Sequence, residues 1–215
     1  MTIWNKIGVL GGVASIAGLL LTLILWQFPH NANVFSESIE KVVKTTIEES
    51  IDEKILQFNN SLKQEGSIFP GRSIEDVKIK DGGKISAFVH WKDGPIIDIG
   101  NYATPKDNRI LLTSKYPSQV FLHLYDNFGN QYILEGNIPN LGGGVKLDGL
   151  WSSKDKIIAI LANDKIISKV ILPEMNIFQD ITKQSHIMVG QSFDGGQGNG
   201  SIKNVMLYAL KEKVK

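Results

Sequence analysis

The first 30 residues contain the most apolar stretch of the chain. Twenty consecutive residues, from Ile7 to Trp26, carry no formal charge. A helix of that length spans about 30 Å, which is the thickness of the hydrocarbon core of a bilayer. Trp4 and Trp26 flank the run where indole rings favour the membrane interface, and Pro29 ends it. The pattern predicts a transmembrane anchor over residues 1–30. A cleavable signal peptide is the alternative, but its apolar core is shorter and ends at a small-x-small site.

Small residues recur four positions apart within this run, and Gly8, Gly12 and Gly18 belong to such pairs. This spacing lets two helix backbones approach closely, so it predicts self-association through the membrane segment. The alternative is the ordinary tolerance of glycine in a helix that faces lipid. Lys6 and the amino terminus precede the run. By the positive-inside rule they favour a single-pass protein whose C-terminal domain lies outside the cytoplasm.

Residues 34–65 have the pattern of a long helix. Ser36 can cap its first turn, and neither glycine nor proline occurs again before Gly66. The apolar positions are mostly four apart: Ile39, Val43, Ile47, Ile51, Ile55, Phe58 and Leu62. Because a stripe of that spacing drifts around an ideal helix, a regular coiled coil is not expected. The pattern predicts a helical stalk that acts as a spacer or oligomerises, and the alternative is a helix packed on the domain that follows.

From residue 66 to residue 215 the pattern changes to ten short β-rich runs separated by Gly, Asn, Asp and Pro. Runs of this kind favour an antiparallel sandwich over βαβ units. Asn127–Asn130 and Asn163–Asp164 each join two adjacent runs, and these residue types suit hairpin turns. One run alternates with period two, so three of its residues can face the core: Val120, Leu122 and Leu124.

Composition excludes several classes of function. The formal net charge is +1, which gives no electrostatic reason to expect nucleic acid as a partner. The chain has no cysteine, so a disulfide framework, a thiolate nucleophile and a Cys-ligated metal site are all excluded. A length of 215 residues suits one well-cored domain with an accessory segment.

The C-terminal third resembles a known family. The hairpin KIIAILANDKIIS is followed, after a loop, by HIMVGQSFDGGQGNGSIKNVMLYAL. Together they resemble the close of a laminin G-like or pentraxin-like domain of the concanavalin A-like lectin and glucanase superfamily. The likeness is clear from Val145 to Leu210 and extends more loosely back to Lys84. It implies an all-β jelly-roll sandwich behind the transmembrane helix and the stalk. It implies no particular activity, because this fold carries unrelated functions.

Two predicted strands each carry aromatic and imidazole side chains on alternate positions. These residues are Phe88, His90, Phe121, His123 and Tyr125. If the two strands adjoin, the side chains form a stacking platform for sugar rings or a docking face for a protein. The alternative is that they pack under the stalk helix or in a second core layer.

The resemblance also implies a possible calcium site. In lectin-like relatives calcium is often held by Asp or Asn side chains and loop carbonyls near the rim, and the nearest equivalents here are Asp194 and Asn199. Calcium takes six to eight oxygen ligands, more than these two residues supply. We therefore expect no obligatory cofactor.

A glycosidase of this superfamily would need two carboxylates that flank the scissile bond. Strand-borne pairs of this kind usually occupy alternate positions, and no two acidic residues beyond Gly66 are spaced in that way. Most of them fall in predicted turns or at strand ends, where solvation explains them. We expect a non-catalytic protein, with a glycoside hydrolase as the less favoured alternative.

The sequence thus predicts a membrane-anchored recognition protein. Its jelly-roll domain would bind a glycan or a partner protein, and its partners would be the bilayer, that ligand and further copies of itself. The alternative from a different class is a structural subunit of a membrane complex or of a pilin-like filament. The charge bias also permits a cytoplasmic sensor.

Overall fold

The computed structural model describes residues 32–67, 82–100, 104, 106–115, 117–126, 128–172 and 186–210. The predicted anchor over residues 1–30, with Gly8, Gly12 and Gly18, lies outside these residues. Within the described part of the chain no helix is long and apolar enough to cross a membrane. The chain divides into two compact units, Met1–Ile51 and Asp52–Lys215.

One long helix, α1, spans Ala32–Ser61. It begins four residues before the predicted cap at Ser36 and is followed directly by a strand. In the first unit the side chains of Val42, Val43 and Ile47 are exposed. In the second unit Ile55 and Phe58 are buried. From Asp52 onward, therefore, the helix packs on the domain, and the predicted stalk over residues 34–65 extends too far.

The described residues form ten strands and one 3₁₀ helix, Leu141–Gly143. The strands are β1 (Leu62–Ser67), β2 (Gly82–Gly100), β3 (Arg109–Lys115), β4 (Gln119–Tyr125), β5 (Gln131–Asn137), β6 (Val145–Ser152), β7 (Ile157–Ala162), β8 (Lys165–Ile171), β9 (His186–Val189) and β10 (Asn199–Leu210).

The strands form two antiparallel sheets that share β2. The first sheet has the order β1-β10-β2-β6-β7-β8, and the second has the order β9-β2-β3-β4-β5. The part of β2 before Gly94 pairs in the first sheet, and the part from Gly94 onward pairs in the second. Two of the ten predicted β-rich runs fall here, KISAFVHW and PIIDIG. The structure instead continues one strand through a bend at Gly94, whose φ of 94° is accessible to glycine at little cost.

The inner faces of the two sheets enclose one hydrophobic core. Ile85, Ala87 and Val89 of β2 alternate into it from the first sheet, and Trp151 of β6 is fully buried. The second sheet contributes alternate residues of β4: Val120, Leu122 and Leu124. Burying one such aliphatic side chain stabilises the fold by about 1.5–3 kcal/mol. The alternation predicted for β4 is confirmed, and with it the sandwich.

Both predicted hairpins are present. Asn163 and Asp164 join β7 to β8 with φ angles of 48° and 64°, the left-handed backbone that a two-residue hairpin turn requires. The turn between β4 and β5 is organised by the buried carboxylate of Asp126. Its Oδ1 accepts hydrogen bonds from the backbone N–H groups of Phe128 and Asn130, at 2.8 and 2.9 Å.

The last turns of α1 cover part of the outer face of the first sheet. Lys84 Nζ donates a hydrogen bond to Asn59 Oδ1 at 2.8 Å, and Phe58 leaves no room for a side chain at Gly82, where a Cβ would lie 2.6 Å from its ring. Lys169 Nζ on β8 lies 2.6 Å from Asp52 Oδ1. These contacts hold the helix across the strands of this sheet.

Candidate functional site

The five residues of the predicted platform fall into two groups. In the second sheet β3 lies between β2 and β4, so the strands that carry His90 and His123 are not neighbours. Phe88 alternates with the buried residues of β2 and points to the outer face of the first sheet, 5.4 Å from the ring of His90. Phe121, His123 and Tyr125 point to the outer face of the second sheet. The single platform of five side chains is therefore not formed.

The second group continues onto β5 and forms a surface that we call the β4 patch: Phe121, His123, Tyr125, Gln131 and Ile133. His123 lies opposite Ile133, and Tyr125 lies opposite Gln131. The three β4 side chains are half-buried, whereas Ile133 is 54% exposed. The patch thus presents ring and aliphatic surface to solvent.

Hydrogen bonds fix the polar groups of the patch. The Gln131 amide nitrogen donates to Tyr125 Oη at 2.6 Å and lies 3.1 Å from His123 Nδ1. Because an amide nitrogen can only donate, Nδ1 accepts and the neutral imidazole carries its proton on Nε2. Burial and the positive charge of Arg109 lower the pKa of His123, which favours this neutral form. Burial raises the pKa of Tyr125, so the phenol also remains uncharged.

A buried ion cluster supports the patch from one side. Arg109, at the start of β3, is 1% exposed, and Asp98 on the adjacent part of β2 is fully buried. Arg109 Nε and Nη2 donate to the two oxygens of Asp98 at 2.9 and 2.8 Å, and Nη1 donates to Asp194 at 2.9–3.1 Å. The backbone N–H of Phe193 donates to Asp98 Oδ2 at 2.9 Å. The cluster therefore fastens the loop around Asp194 to the second sheet.

The guanidinium of Arg109 also lies between two aromatic rings. Its central carbon is 5.6 Å from the ring centre of Tyr125 and 5.9 Å from that of Phe193. Burial disfavours its charge, but its hydrogen bonds with Asp98 and Asp194 raise its pKa above the ordinary value. Burial likewise raises the pKa of Asp98, against the effect of Arg109 and the Phe193 N–H. The charged guanidinium therefore borders the ring of Tyr125, which belongs to the β4 patch.

One of the two candidate calcium ligands has another partner in the structure. Asp194 binds the Arg109 guanidinium, and Asn199 lies opposite Asp93 at the start of β10. In the described ranges no three His, Asp or Glu side chains are grouped so that they could hold a metal ion. A calcium ion at Asp194 would have to compete with a buried arginine for the same carboxylate.

The carboxylates of Asp98 and Asp194 converge on Arg109, although the sequence pattern placed no acidic pair there. Both oxygens of Asp98 accept hydrogen bonds, and its side chain has no exposed surface. Asp98 could therefore act as a nucleophile or as a base only after the ion pair opened. Sequence reasoning assigned most acidic residues to turns and strand ends, whereas Asp98 lies within a strand. The available signal was its place between Ile97 and Ile99, because a charge within an apolar strand requires a buried partner.

The fold is similar to that of solved carbohydrate-binding domains. No protein-family model matches the chain, and no curated protein matches it. The CBM40 domain of an IT-sialidase from Ruminococcus gnavus, bound to α2,3-sialyllactose, superposes with a TM-score of 0.51 at 16% identity, over 70% of this chain and 92% of that domain.

Two further solved structures show weaker likeness. A leech intramolecular trans-sialidase superposes with a TM-score of 0.50 at 14% identity, over 70% of this chain and 26% of that one. Domains LG4–5 of the mouse laminin α1 chain reach a TM-score of 0.46 at 13% identity, over 70% of this chain and 42% of that one. At identities this low, the likeness to CBM40 establishes the fold alone. The second unit of this chain, Asp52–Lys215, contains a jelly-roll β-sandwich similar to that of the CBM40 domain.

Proposed function

We propose that the chain is a single-span membrane protein whose jelly-roll domain binds a glycan through the β4 patch, without catalysis. The observation that carries this proposal is the set of half-buried rings of Phe121, His123 and Tyr125 on an outer sheet face. We include in this proposal that the jelly-roll domain is of the laminin G-like type, as the resemblance of its C-terminal third implies.

The chemistry of the patch suits a sugar. The C–H face of a pyranose packs on aromatic and aliphatic surface, while its hydroxyl groups need a few fixed hydrogen-bonding partners. The His123 Nε2–H, the Tyr125 hydroxyl and the Gln131 amide supply such partners, and the bond network holds them in place. The sialyllactose bound by the R. gnavus domain supports a glycan ligand by analogy of fold.

The predicted anchor would add avidity. A single shallow site binds weakly, but several copies held at one surface raise the effective concentration of sites for a multivalent glycan. Small residues at Gly8, Gly12 and Gly18 would bring copies together. Extraction with alkaline carbonate tests the anchor, because a protein held only at the surface is released. Protease access in intact cells tests whether the domain lies outside the cytoplasm.

A glycan array tests the recognition itself. The full chain would be displayed in nanodiscs at high valency, as wild type and as the variants Phe121→Ala and His123→Ala. We expect binding to a restricted set of glycans and at least a several-fold loss in both variants. Phe88→Ala is the matched control, since it removes a half-buried phenyl ring from the other sheet.

A blank array at high valency would refute the glycan proposal. So would equal losses in Phe88→Ala and Phe121→Ala, because the binding face would then lie elsewhere. Pull-down of a protein by the wild type but not by the β4 variants would make the patch a protein-docking face instead.

A further inference from the structure

A cleft of about 370 Å³ opens at one end of the sandwich, away from the β4 patch. It lies among the end of β5, the segment that leads to β6, and the hairpin between β7 and β8. Its walls are formed by ten residues: Asn137, Ile138, Pro139, Asn140, Gly143, Gly144, Val145, Ala162, Asn163 and Ile167. We call it the rim cleft. Its volume falls within the range of small-molecule pockets, about 300–1,000 Å³.

The rim cleft is uncharged and amphipathic. None of its lining residues is ionisable, three are asparagines, and the aliphatic side chains provide an apolar wall. The charged residues next to the lining residues Val145 and Asn163 pair with each other, Lys146 Nζ with Asp164 Oδ1 at 2.6 Å. A charged ligand would lose its hydration here without gaining a counter-charge, so the lining selects a neutral one.

The asparagine side chains leave hydrogen-bonding capacity in the cleft. Asn137 Oδ1 accepts a bond from Ser118 Oγ at 3.0 Å, and Asn163 Oδ1 accepts one from the backbone N–H of Lys146 at 3.1 Å. Their Nδ2 groups remain as donors, because the described residues offer them no acceptor. The Asn140 side chain makes no capping bond to the 3₁₀ helix that it precedes. These amides supply both donors and an acceptor to a ligand.

The backbone of the cleft is held in place by close packing. A Cβ at Gly143 would lie 2.5 Å from Asn140 Nδ2, so the asparagine amide lies directly over that glycine. Gly144 has φ 89° and packs on His90, where a Cβ would lie 2.5 Å from the imidazole. A preformed cleft of this kind loses little entropy when a ligand binds.

We propose that the rim cleft binds one neutral pyranose residue, whose C–H face packs on Pro139 and Ile167 while its hydroxyls bond to the three asparagine amides. A neutral sugar is the class that combines apolar and densely hydroxylated faces in this volume. The site goes beyond the proposed function, since no residue of the β4 patch lines it.

Saturation-transfer NMR on the full chain in nanodiscs tests the proposal, with the methyl β-glycosides of glucose, galactose and N-acetylglucosamine as probes. We expect saturable transfer to at least one glycoside. Asn140→Ala should weaken its binding about 2- to 12-fold, the range for one hydrogen bond. Ala162→Leu, which puts a larger side chain into the cleft, should abolish binding. Asn60→Ala is the matched control, because Asn60 is an exposed asparagine of α1, and it should change nothing.

Several results would overturn the assignment. One is the absence of transfer to all three glycosides. Another is binding that survives in both Asn140→Ala and Ala162→Leu. Because Asn140 is exposed, we expect Asn140→Ala to fold, so it tests the cleft even if Ala162→Leu does not fold. Binding lost in Phe121→Ala but kept in Asn140→Ala would place the sugar on the β4 patch. Transfer to N-acetylglycine methylamide, and to no glycoside, would make the cleft a peptide site.

Discussion

The ion pair between Asp98 and Arg109 should be the most sensitive polar contact of the second sheet. Both side chains are almost completely inaccessible to solvent and joined by two hydrogen bonds. Asp98→Ala would leave the guanidinium buried with only Asp194 as a counter-charge. It would also remove the acceptor of the Phe193 N–H.

The magnitude follows from burial. Removing one partner of a buried ion pair costs about 3–5 kcal/mol, because the remaining charge is left without compensation. Asp194 makes the same kind of bond to Arg109, but its side chain is 63% exposed. Asp194→Asn should therefore cost about 0–1 kcal/mol. Asp98→Asn should fall between the two, since its carbonyl oxygen still accepts one bond while its amide faces donors.

Urea unfolding of the full chain in micelles measures these differences by tryptophan fluorescence, because Trp151 is fully buried in the folded domain and becomes exposed on unfolding. With a slope of about 2 kcal/mol/M, Asp98→Ala should lower the midpoint by about 1.5–2.5 M and Asp194→Asn by less than about 0.5 M. The double variant Asp98→Leu with Arg109→Met removes both charges. It should recover most of the loss, since the one carboxylate that it leaves without a partner, Asp194, is 63% exposed.

Two outcomes would refute this reasoning. If Asp98→Ala and Asp194→Asn shift the midpoint equally, burial does not decide the cost of losing a carboxylate. If the double variant is as unstable as Asp98→Ala, the loss comes from packing or from the Phe193 N–H, and not from an unpaired guanidinium.

Three further predictions concern the patch and the turns. The pKa of His123 is lower in the folded chain than in the unfolded chain. At pH values between that lowered pKa and about 6.5, the unfolded chain therefore binds more protons than the folded chain. The free energy of unfolding should therefore fall as the pH drops through this window; urea midpoints from pH 8 to pH 5 measure it, and His123→Gln should flatten the profile. Gly144→Ala should cost about 1–3 kcal/mol because its Cβ would lie 2.5 Å from His90, and an unchanged midpoint would contradict the packing. Asp126→Ala should cost about 1–3 kcal/mol because the buried carboxylate caps the β4–β5 turn, while Asp126→Asn, which keeps one acceptor oxygen, should cost less in the same assay.

The strands and hairpins were predictable because their information is local. The alternation along β4 specifies its two faces, and Asn163–Asp164 specifies a turn that only a few residue types form readily. Strand β1 was missed. It has neither alternating nor β-branched residues, and it becomes a strand through pairing with β10, from Leu62 opposite Leu210 onward.

The candidate site was only partly predictable because its contacts are distant in sequence. Phe121, His123 and Tyr125 share a face through local alternation, and that part of the predicted platform is present. Whether the strand of His90 adjoins them depends on the order of strands in a sheet, which the local pattern does not contain. The cluster at Arg109 combines residues 11 and 85 positions away along the chain. No spacing rule indicates such a pairing.

The sequence nevertheless distinguishes the covered outer face from the open one. Strand β7 reads IIAILA, with apolar residues at every position, and its outward residues Ile157, Ala159 and Leu161 are as buried as its inward ones. A strand that is apolar on both faces needs a cover on each, and α1 packs on this outer side of the first sheet from Asp52 onward. Strand β4 reads QVFLHLY, and three of its four outward residues, Gln119, His123 and Tyr125, carry polar atoms that solvent can satisfy. The pattern therefore points to the β4–β5 part of the second sheet as the face available to a ligand, and the glycan array with the β4 variants tests that surface.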